Sequence, residues 1–224
     1  MSRKHLELFQ NELEVFDINT FGMGVSKTNK GVVCFIKNTV PGDVVDVKIF
    51  KKRKGYYEAE PTKWIKKSPF RTHPLCQHFG ICGGCKLQHL SYEGQLKFKE
   101  KGVLQNLNQI GKTKIQEILP IVGAENPYYY RNKLEFSFSN NRWLTIEEIK
   151  RDETINRNGL GFHKQGMWDK IVDIKKCHLQ EKPSNELRNT IKDFALKNKL
   201  EFFNPKKQSG LLRSLMIRNT LKKQ

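Results

Sequence analysis

Three of the five cysteines of this chain lie in one short segment that also contains two adjacent glycines. Cys76, Cys82 and Cys85 have the spacing C-x5-C-x2-C, and Gly83 and Gly84 separate the last two. Glycine has no Cβ, so the backbone here can curl and turn its N–H groups toward a bound cluster. Thiolates this close together repel one another unless a cation shares them. The segment therefore indicates a metal centre.

A fourth cysteine, Cys177, lies far downstream, and the arrangement of three close cysteines and one distant one bears on which metal is bound. A zinc site with four cysteine ligands usually comes as two CxxC pairs. Three clustered ligands with a remote fourth are more typical of an iron–sulfur cluster. The sequence therefore favours a [4Fe–4S] cluster. A zinc site, with His78 or His89 as further ligands, and a set of unligated thiols remain alternatives.

The charge of the chain indicates a polyanionic partner. Its 224 residues contain 41 Lys and Arg but only 23 Asp and Glu, a net charge of +18. The resulting pI of about 9.7 is that of a nucleic-acid-binding protein, whose cations contact phosphates. No apolar run approaches the roughly 20 residues of a membrane span, and the N-terminus has no apolar signal core. The chain is therefore expected to be cytoplasmic, monomeric and bound to nucleic acid rather than to a membrane.

Two domains are predicted from the change in pattern along the chain, residues 1–67 and 68–224. Short β-branched runs separated by Gly and Pro turns in residues 9–67 predict a small OB-like β-barrel. Lys51–Lys54 would lie at a hairpin tip ending in Gly55, and residues 59–65 would form the closing strand. Cys34, inside an apolar run, is expected to be a small buried hydrophobe.

The rest of the chain has a mixed α/β pattern, so the predicted fold class is mixed β and α+β. Helices are predicted at 91–110, with Ser91 as cap, and at 184–198, each from apolar residues at helical spacing. The predicted core-facing residues are Leu96, Lys99 (by its stem), Val103, Leu107 and Ile110 in the first helix, and Leu187, Ile191, Phe194 and Ala195 in the second. Strands are predicted at 133–139, 160–163, 170–174 and 211–219, and residues 140–158 are predicted to form a hairpin excursion.

Several motifs resemble those of the bacterial 23S rRNA (uracil-5-)-methyltransferases. The segment CQHFGICGGCKLQH, residues 76–89, is similar to the cluster loop of that family. YRNK at 130–133 and GLGFH at 159–163 resemble two further motifs, and IVDIKKC at 171–177 resembles the stretch that supplies the fourth cluster cysteine. Residues 9–67, with FGMGV at 21–25 and VPGD at 40–43, look like a TRAM domain, the RNA-binding barrel of this family.

The resemblance implies a methyl transfer from S-adenosylmethionine to C5 of a flipped-out uracil, by way of a cysteine adduct at C6 and a general base. In the full-length family these groups and the S-adenosylmethionine site lie in a C-terminal domain. None of the five cysteines here matches the family's nucleophile, and no glycine-rich strand–helix turn for a cofactor is found. The chain is therefore expected to be a truncated N-terminal part that positions 23S rRNA and is inactive alone.

The candidate site residues fall into two sets. The predicted cluster ligands are Cys76, Cys82, Cys85 and Cys177. The predicted RNA contacts are Lys51, Lys52, Arg53, Lys54, Lys66, Lys67, Arg71, Phe79 and Arg131. Phe79 would stack on an unpaired base or pack on the cluster, and Arg131 would contact phosphate or pair with a carboxylate.

Two other classes of function remain. A standalone iron–sulfur or zinc protein that binds RNA without catalysis would have the same residues. A ferredoxin-like electron carrier is disfavoured by the basic charge and the β-barrel.

Overall fold

A computed structural model describes residues 8–151 and 155–220. The chain forms two compact units. The first comprises residues 8–74 and Lys86–Ala124, and the second comprises Leu75–Cys85 and the described residues from Glu125 onward. The cysteine loop therefore belongs with the C-terminal part of the chain, whereas the segment after it returns to the first unit. The predicted domain boundary after residue 67 stays a prediction.

The first unit is built on a curled six-stranded sheet in the order β1-β5-β6-β4-β3-β2. Its strands are β1 (Leu8–Glu14), β2 (Asp17–Ile18), β3 (Gly24–Lys27), β4 (Val33–Ile36), β5 (Val44–Arg53) and β6 (Tyr56–Lys66). Side chains of β5 alternate, with Val45, Val47 and Ile49 fully buried. Register shifts between β5 and β6 bend the sheet, because each bulge adds local twist.

Cys34 lies in this core with no solvent exposure. Burial raises the pKa of its thiol to about 11, so it is neutral at physiological pH. The sequence prediction of a small buried hydrophobe agrees with this position.

A buried carboxylate joins three parts of the first unit. Asp43 is fully buried, and its side chain accepts hydrogen bonds from the Val40 backbone N–H at 2.8 Å and the Ser68 backbone N–H at 2.9 Å. Arg71 donates to both carboxylate oxygens and to the Asn38 carbonyl. The guanidinium also lies 5.6 Å from the Trp64 ring. Arg71, a predicted RNA contact, therefore has a structural partner inside its own unit.

The helix of the first unit, α1 (Tyr92–Gln109), begins where it was predicted, because the Ser91 hydroxyl accepts the Gly94 N–H at 3.2 Å. Its predicted core face does not form: Val103, Leu107 and Ile110 are 57%, 41% and 78% exposed. The periodicity established the helix but not the burial, since burial needs a facing partner. Within the described residues no helix is both long and apolar enough to cross a bilayer.

The second unit contains a four-stranded antiparallel sheet in the order β10-β7-β8-β9. Its strands are β7 (Lys133–Ser139), β8 (Gly159–His163), β9 (Ile171–Asp173) and β10 (Ser214–Arg218). The predicted alternation of β7 is confirmed, since Leu134, Phe136 and Phe138 are buried in one core.

The excursion between β7 and β8 differs from the predicted hairpin. Its ends do pair, through the Arg142 N–H and the Arg157 carbonyl at 2.9 Å. The single-turn helix α2 (Ile146–Ile149) lies between them, and Thr145 and Glu148 form a capping box at its start. Residues 152–154 of the predicted hairpin lie outside the described residues.

The second predicted helix is α3 (Ser184–Lys197), but it buries a different face from the predicted one. Leu187, Ile191 and Phe194 are 45%, 37% and 60% exposed. The buried residues are Ser184, Arg188 and Ala195. The predicted core face is confirmed at Ala195 but wrong at Leu187, Ile191 and Phe194, because polar side chains of α3 bind the backbone of the Cys177 loop.

A pH effect is expected from His89 in the first unit. This imidazole is only 4% exposed, and burial lowers its pKa, opposed by a hydrogen bond with the Thr39 carbonyl. The unfolded chain, with a histidine pKa of about 6.5, therefore binds more protons at acidic pH. Stability should be complete above about pH 6.5 and fall as the pH drops toward the folded-state pKa.

Urea denaturation of wild type and His89→Gln between about pH 7.5 and about pH 5.5 measures this effect. We expect a smaller loss of unfolding free energy in His89→Gln. His73→Gln, which changes an exposed imidazole of the same unit, should keep the wild-type slope. Identical slopes in all three proteins would exclude His89 as the source.

Candidate functional site

The cysteine loop is fastened to the end of β8. The Gly83 N–H donates to the His163 carbonyl at 2.9 Å, and the Gln165 N–H donates to the Ile81 carbonyl at 3.1 Å. A Cβ on residue 83 would lie 2.8 Å from that His163 oxygen. Glycine is therefore required at this position by close backbone approach.

Within the loop, backbone N–H groups point at sulfur. The Gly84 N–H donates to Cys82 Sγ at 3.4 Å. Burial raises the pKa of Cys76 and of Cys177, and this effect is opposed by hydrogen bonds from the backbone of His78 and Phe79 to Cys76 and of Leu179 to Cys177. Such bonds favour thiolate and are one means by which proteins tune an iron–sulfur cluster.

Cys177 follows β9 and is held by the first turn of α3. The Asn185 side chain accepts the Cys177 N–H at 2.8 Å and donates to the Cys177 carbonyl at 3.0 Å. His78, inside the cysteine loop, accepts the Lys175 N–H at its Nε2 atom at 3.1 Å. A hydrogen bond thus joins the cysteine loop to the segment that leads to the remote cysteine.

The segment that contains the YRNK motif lies beside the chain that leaves Cys177. The Tyr129 N–H donates to the His178 carbonyl at 2.9 Å, and the Arg131 N–H donates to the Leu179 carbonyl at 2.8 Å. The Tyr129 hydroxyl lies 2.9 Å from His178 Nδ1. Motifs separated along the sequence therefore form one neighbourhood in the second unit.

The four predicted cluster ligands influence one another's ionisation. The pKa of Cys82 is raised to about 11, first by burial and then by the charges of Cys85, Cys76 and Cys177. Burial also raises the pKa of Cys76 and of Cys177, and Cys85 raises both further. These electrostatic influences place the four thiols in one neighbourhood of the second unit. Binding a cation there would release protons, since metals bind the thiolate form.

Among the described residues, the four thiols do not form a ready-made site for a single metal ion. Across residues 8–151 and 155–220, no three Cys, His, Asp or Glu side chains are close enough to hold one metal ion as they stand. A zinc ion would draw its thiolates to about 2.3 Å from one centre. A cluster has iron and sulfide between its thiolates and so accepts a wider arrangement. The [4Fe–4S] assignment stays a prediction, supported by four grouped thiols and their N–H donors.

The predicted RNA contacts at residues 51–54 lie at the tip of the β5–β6 hairpin, as expected. Lys51 Nζ and Arg53 Nε lie 3.3 Å and 4.0 Å from Glu58 Oε1. Lys52 is exposed, and its Nζ lies 5.9 Å from the centre of the Tyr57 ring. Lys54 is exposed in the turn. Among the described residues, Lys52 and Lys54 are the cations of this tip without a carboxylate within salt-bridge distance, so replacing them tests RNA contact without breaking an ion pair.

The remaining predicted contacts are scattered. Lys66 and Lys67 are exposed at the end of β6 and just after it. Phe79 is half-buried in the cysteine loop, and Arg131 is exposed with its guanidinium 5.9 Å from the Tyr130 ring. Their contacts with RNA stay predictions.

Two residues of the site were missed by the sequence analysis, Asn185 and Arg188. Both lie in the first half of α3, and Arg188 is 1% exposed. The signal available for Arg188 was its spacing from Ser184 and Ala195, because these three residues recur on one helical face. A charged residue on a buried face reads as surface in a hydrophobicity pattern, so it was passed over.

Comparison with known families identifies the first unit's sheet. Residues 12–62 match the family model of the TRAM domain. The first unit contains a TRAM domain. The match covers β2–β5 and parts of β1 and β6, and thus most of the curled sheet. This confirms the predicted TRAM-type barrel at the level of the domain family.

The whole chain resembles proteins named as RNA methyltransferases. An "uncharacterized RNA methyltransferase" of Bacteroides thetaiotaomicron is 46% identical over 200 residues, which cover 89% of this chain and 44% of that protein. One of Porphyromonas gingivalis is 41% identical, with coverage of 93% and 46%. The crystal structure of Pyrococcus abyssi tRNA (uracil-54, C5)-methyltransferase with S-adenosyl-L-homocysteine matches with a TM-score of 0.60 and 25% identity, covering 97% of this chain and 43% of that one.

The chain spans about half the length of the curated relatives it matches. The matches run along nearly all of it. They support the predicted RNA methyltransferase relationship. They do not support the expectation that a catalytic domain is missing, which stays a prediction.

Proposed function

We propose that this chain is the RNA-binding, iron–sulfur-containing part of an S-adenosylmethionine-dependent RNA uracil-5 methyltransferase, and that it positions 23S rRNA for methylation of a uridine at C5. The observation that carries the proposal is the pairing of a TRAM domain with four mutually interacting cysteines in one chain. Relatives named as RNA methyltransferases support the reaction class. The structural relative that acts on tRNA uracil supports the position of methylation.

The roles of the residues follow from their positions. The hairpin tip of the first unit presents lysines for phosphate contacts, which are electrostatic and independent of sequence. The cysteine loop joins β8, the Cys177 segment and the YRNK segment, so a cluster there would rigidify the second unit rather than carry electrons. When bound, S-adenosylmethionine supplies the methyl group, while the residues of this chain bind and orient the RNA.

The test is direct binding of RNA to the anaerobically prepared chain. A fluorescent 23S rRNA fragment that contains a uridine loop should bind more tightly than a tRNA of similar length, as measured by anisotropy at fixed salt. Tighter binding of the tRNA would show that tRNA, and not 23S rRNA, is the substrate. The assignment as a uracil-5 methyltransferase would then be unaffected. Equal binding of both RNAs and of unrelated DNA would contradict a positioning role.

A charge variant of the hairpin tip tests where the RNA lies. Replacing Lys52 and Lys54 together with glutamine should weaken binding and lower the slope of log K against log salt by about 1.4, since each single-strand phosphate contact contributes about 0.7. Lys197→Gln with Lys199→Gln removes the same charge from exposed positions at the end of α3. That control should keep the wild-type slope. Equal losses in the two double variants would show that only net charge matters.

A further inference from the structure

Arg188 is a buried cation without a carboxylate partner. Its side chain is 1% exposed and lies 5.0 Å from the Phe136 ring in the core of the second unit. Among the described residues, no carboxylate lies within salt-bridge distance of it, and its Nε–H has no hydrogen-bond partner. Asp173, the nearest acidic influence, is occupied by Lys192 at 2.5 Å and by the Leu160 N–H at 3.0 Å. A buried guanidinium with no counter-charge is unfavourable.

Two of the three side-chain hydrogen bonds of Arg188 lead to the segment of Cys177, and the third runs from its Nη2 to Asn189 Oδ1 at 3.1 Å. Its Nη1 donates to Asn185 Oδ1 at 2.9 Å, the same oxygen that accepts the Cys177 N–H. Its Nη2 donates to the Lys175 carbonyl at 2.7 Å. The Lys175 N–H in turn donates to His78. The guanidinium is therefore linked by hydrogen bonds, through Asn185 to the remote cysteine and through Lys175 to the cysteine loop.

The hydrogen bonds of Arg188 hold it next to the segment of Cys177, so a thiolate at Cys177 would supply negative charge near the guanidinium. Burial lowers the pKa of Arg188, and the charge of Cys177 opposes that effect more than the charge of Asp173 does. Burial raises the pKa of Cys177, and Arg188 is one of the groups that oppose this effect. Four thiolates carry more negative charge than the positive charge of a cluster core, so a loaded site is anionic. The counter-charge that Arg188 lacks is therefore the charge that a cluster would bring.

We propose that Arg188 is a positioning residue that supplies the buried counter-charge of the cysteine-bound cluster and, through Asn185, fixes Cys177 as its fourth ligand. The proposal rests on the cluster in the proposed function and deepens it. A cation close to a cluster stabilises the more negative, reduced form. Arg188 thus raises the reduction potential of the cluster and slows its loss.

The experiment compares Arg188→Gln, Arg188→Lys and wild type, purified and reconstituted without oxygen. Iron and acid-labile sulfide are measured first, then the potential by redox titration, then the rate of cluster loss to a chelator. At a fixed potential, Arg188→Gln should lower the ratio of reduced to oxidised cluster about tenfold, which is about 59 mV for one electron. It should also lose iron faster. Arg188→Lys keeps the charge and should stay close to wild type in potential.

Arg213→Gln is the matched control. Arg213 also lies over a phenylalanine, 4.8 Å from the Phe203 ring, but it is exposed. This variant should keep the potential and the chelation rate of wild type.

The possible outcomes separate the two proposals. A wild-type potential and chelation rate in Arg188→Gln, with iron and sulfide present, would overturn the role of Arg188 and leave the cluster standing. Loss of the cluster in both Arg188→Gln and Arg188→Lys would also overturn the proposed role as a counter-charge. It would show that Arg188 acts through its hydrogen bonds and not through its charge. Wild-type protein that takes up zinc but neither iron nor sulfide would instead overturn the cluster itself.

Discussion

Replacing Cys82 with serine is expected to abolish iron–sulfur binding in the second unit. Cys82 is one of the four predicted ligands, and the pKa of its thiol is raised first by burial and also by the charges of Cys85, Cys76 and Cys177. It also forms a β-bridge with Lys164, so its position is fixed by the sheet. Serine is a weak ligand for iron and would leave one corner of the cluster open. Iron content after anaerobic reconstitution should fall about tenfold or more from the roughly four irons per chain of wild type.

The matched control for this prediction is Cys34→Ala. Cys34 is the one cysteine outside the predicted ligand set, and it is fully buried in the first unit. Its loss should leave the iron and sulfide content and the visible absorbance unchanged. Full iron content in Cys82→Ser, or equal losses in the two variants, would contradict the assignment of these four cysteines. A colourless wild type that contains zinc would show that the metal was misassigned.

Replacing Asp43 with alanine is expected to be the most destabilising single change in the first unit. The substitution removes the acceptor for two backbone N–H groups and leaves Arg71, whose side chain is 21% exposed, without its partner. Breaking a buried ion pair in this way costs about 3–5 kcal/mol. The loss of unfolding free energy should appear as a lower midpoint of urea denaturation with an unchanged m-value. A spectroscopic probe in the first unit would monitor the transition.

Asp46→Ala provides the comparison. Asp46 is half-buried in β5 and accepts one hydrogen bond, from the Glu12 N–H at 2.9 Å. We expect this change to cost about 1 kcal/mol or less. Equal losses in the two variants would mean that the Asp43 network contributes no more than an ordinary surface bond. The result also bears on Arg71, since any effect of an Arg71 variant on RNA binding must be corrected for lost stability.

The two predictions act on different units. The Cys82 change addresses the cysteine site, whose ligands and N–H donors all belong to the second unit. The Asp43 change addresses the TRAM-containing first unit. RNA affinity measured in both variants would show which unit dominates binding. A strong loss only in Asp43→Ala would place the main RNA contact in the first unit.

Much of the local structure could be predicted because it depends on near neighbours in the sequence. Alternating apolar residues were enough to predict β7, and Ser91 was enough to predict where α1 begins. The grouping of Cys76, Cys82 and Cys85 was visible from their spacing, and Cys177 was proposed as the distant fourth ligand, which the family resemblance also implied. These features need no knowledge of what packs against them.

What faces each element was decided by the tertiary structure alone. The apolar side of α3 was predicted to be buried, yet Arg188 is buried and Phe194 is exposed. The backbone of the Cys177 loop requires polar partners, and the donors and acceptors of α3 supply them. Likewise the charge of Arg71 was evident from its type, but its partner Asp43 lies 28 residues away and was evident only after folding. Residue type and spacing determined which candidate metal ligands and cations this protein has, whereas long-range hydrogen bonding determined which of those groups are held together.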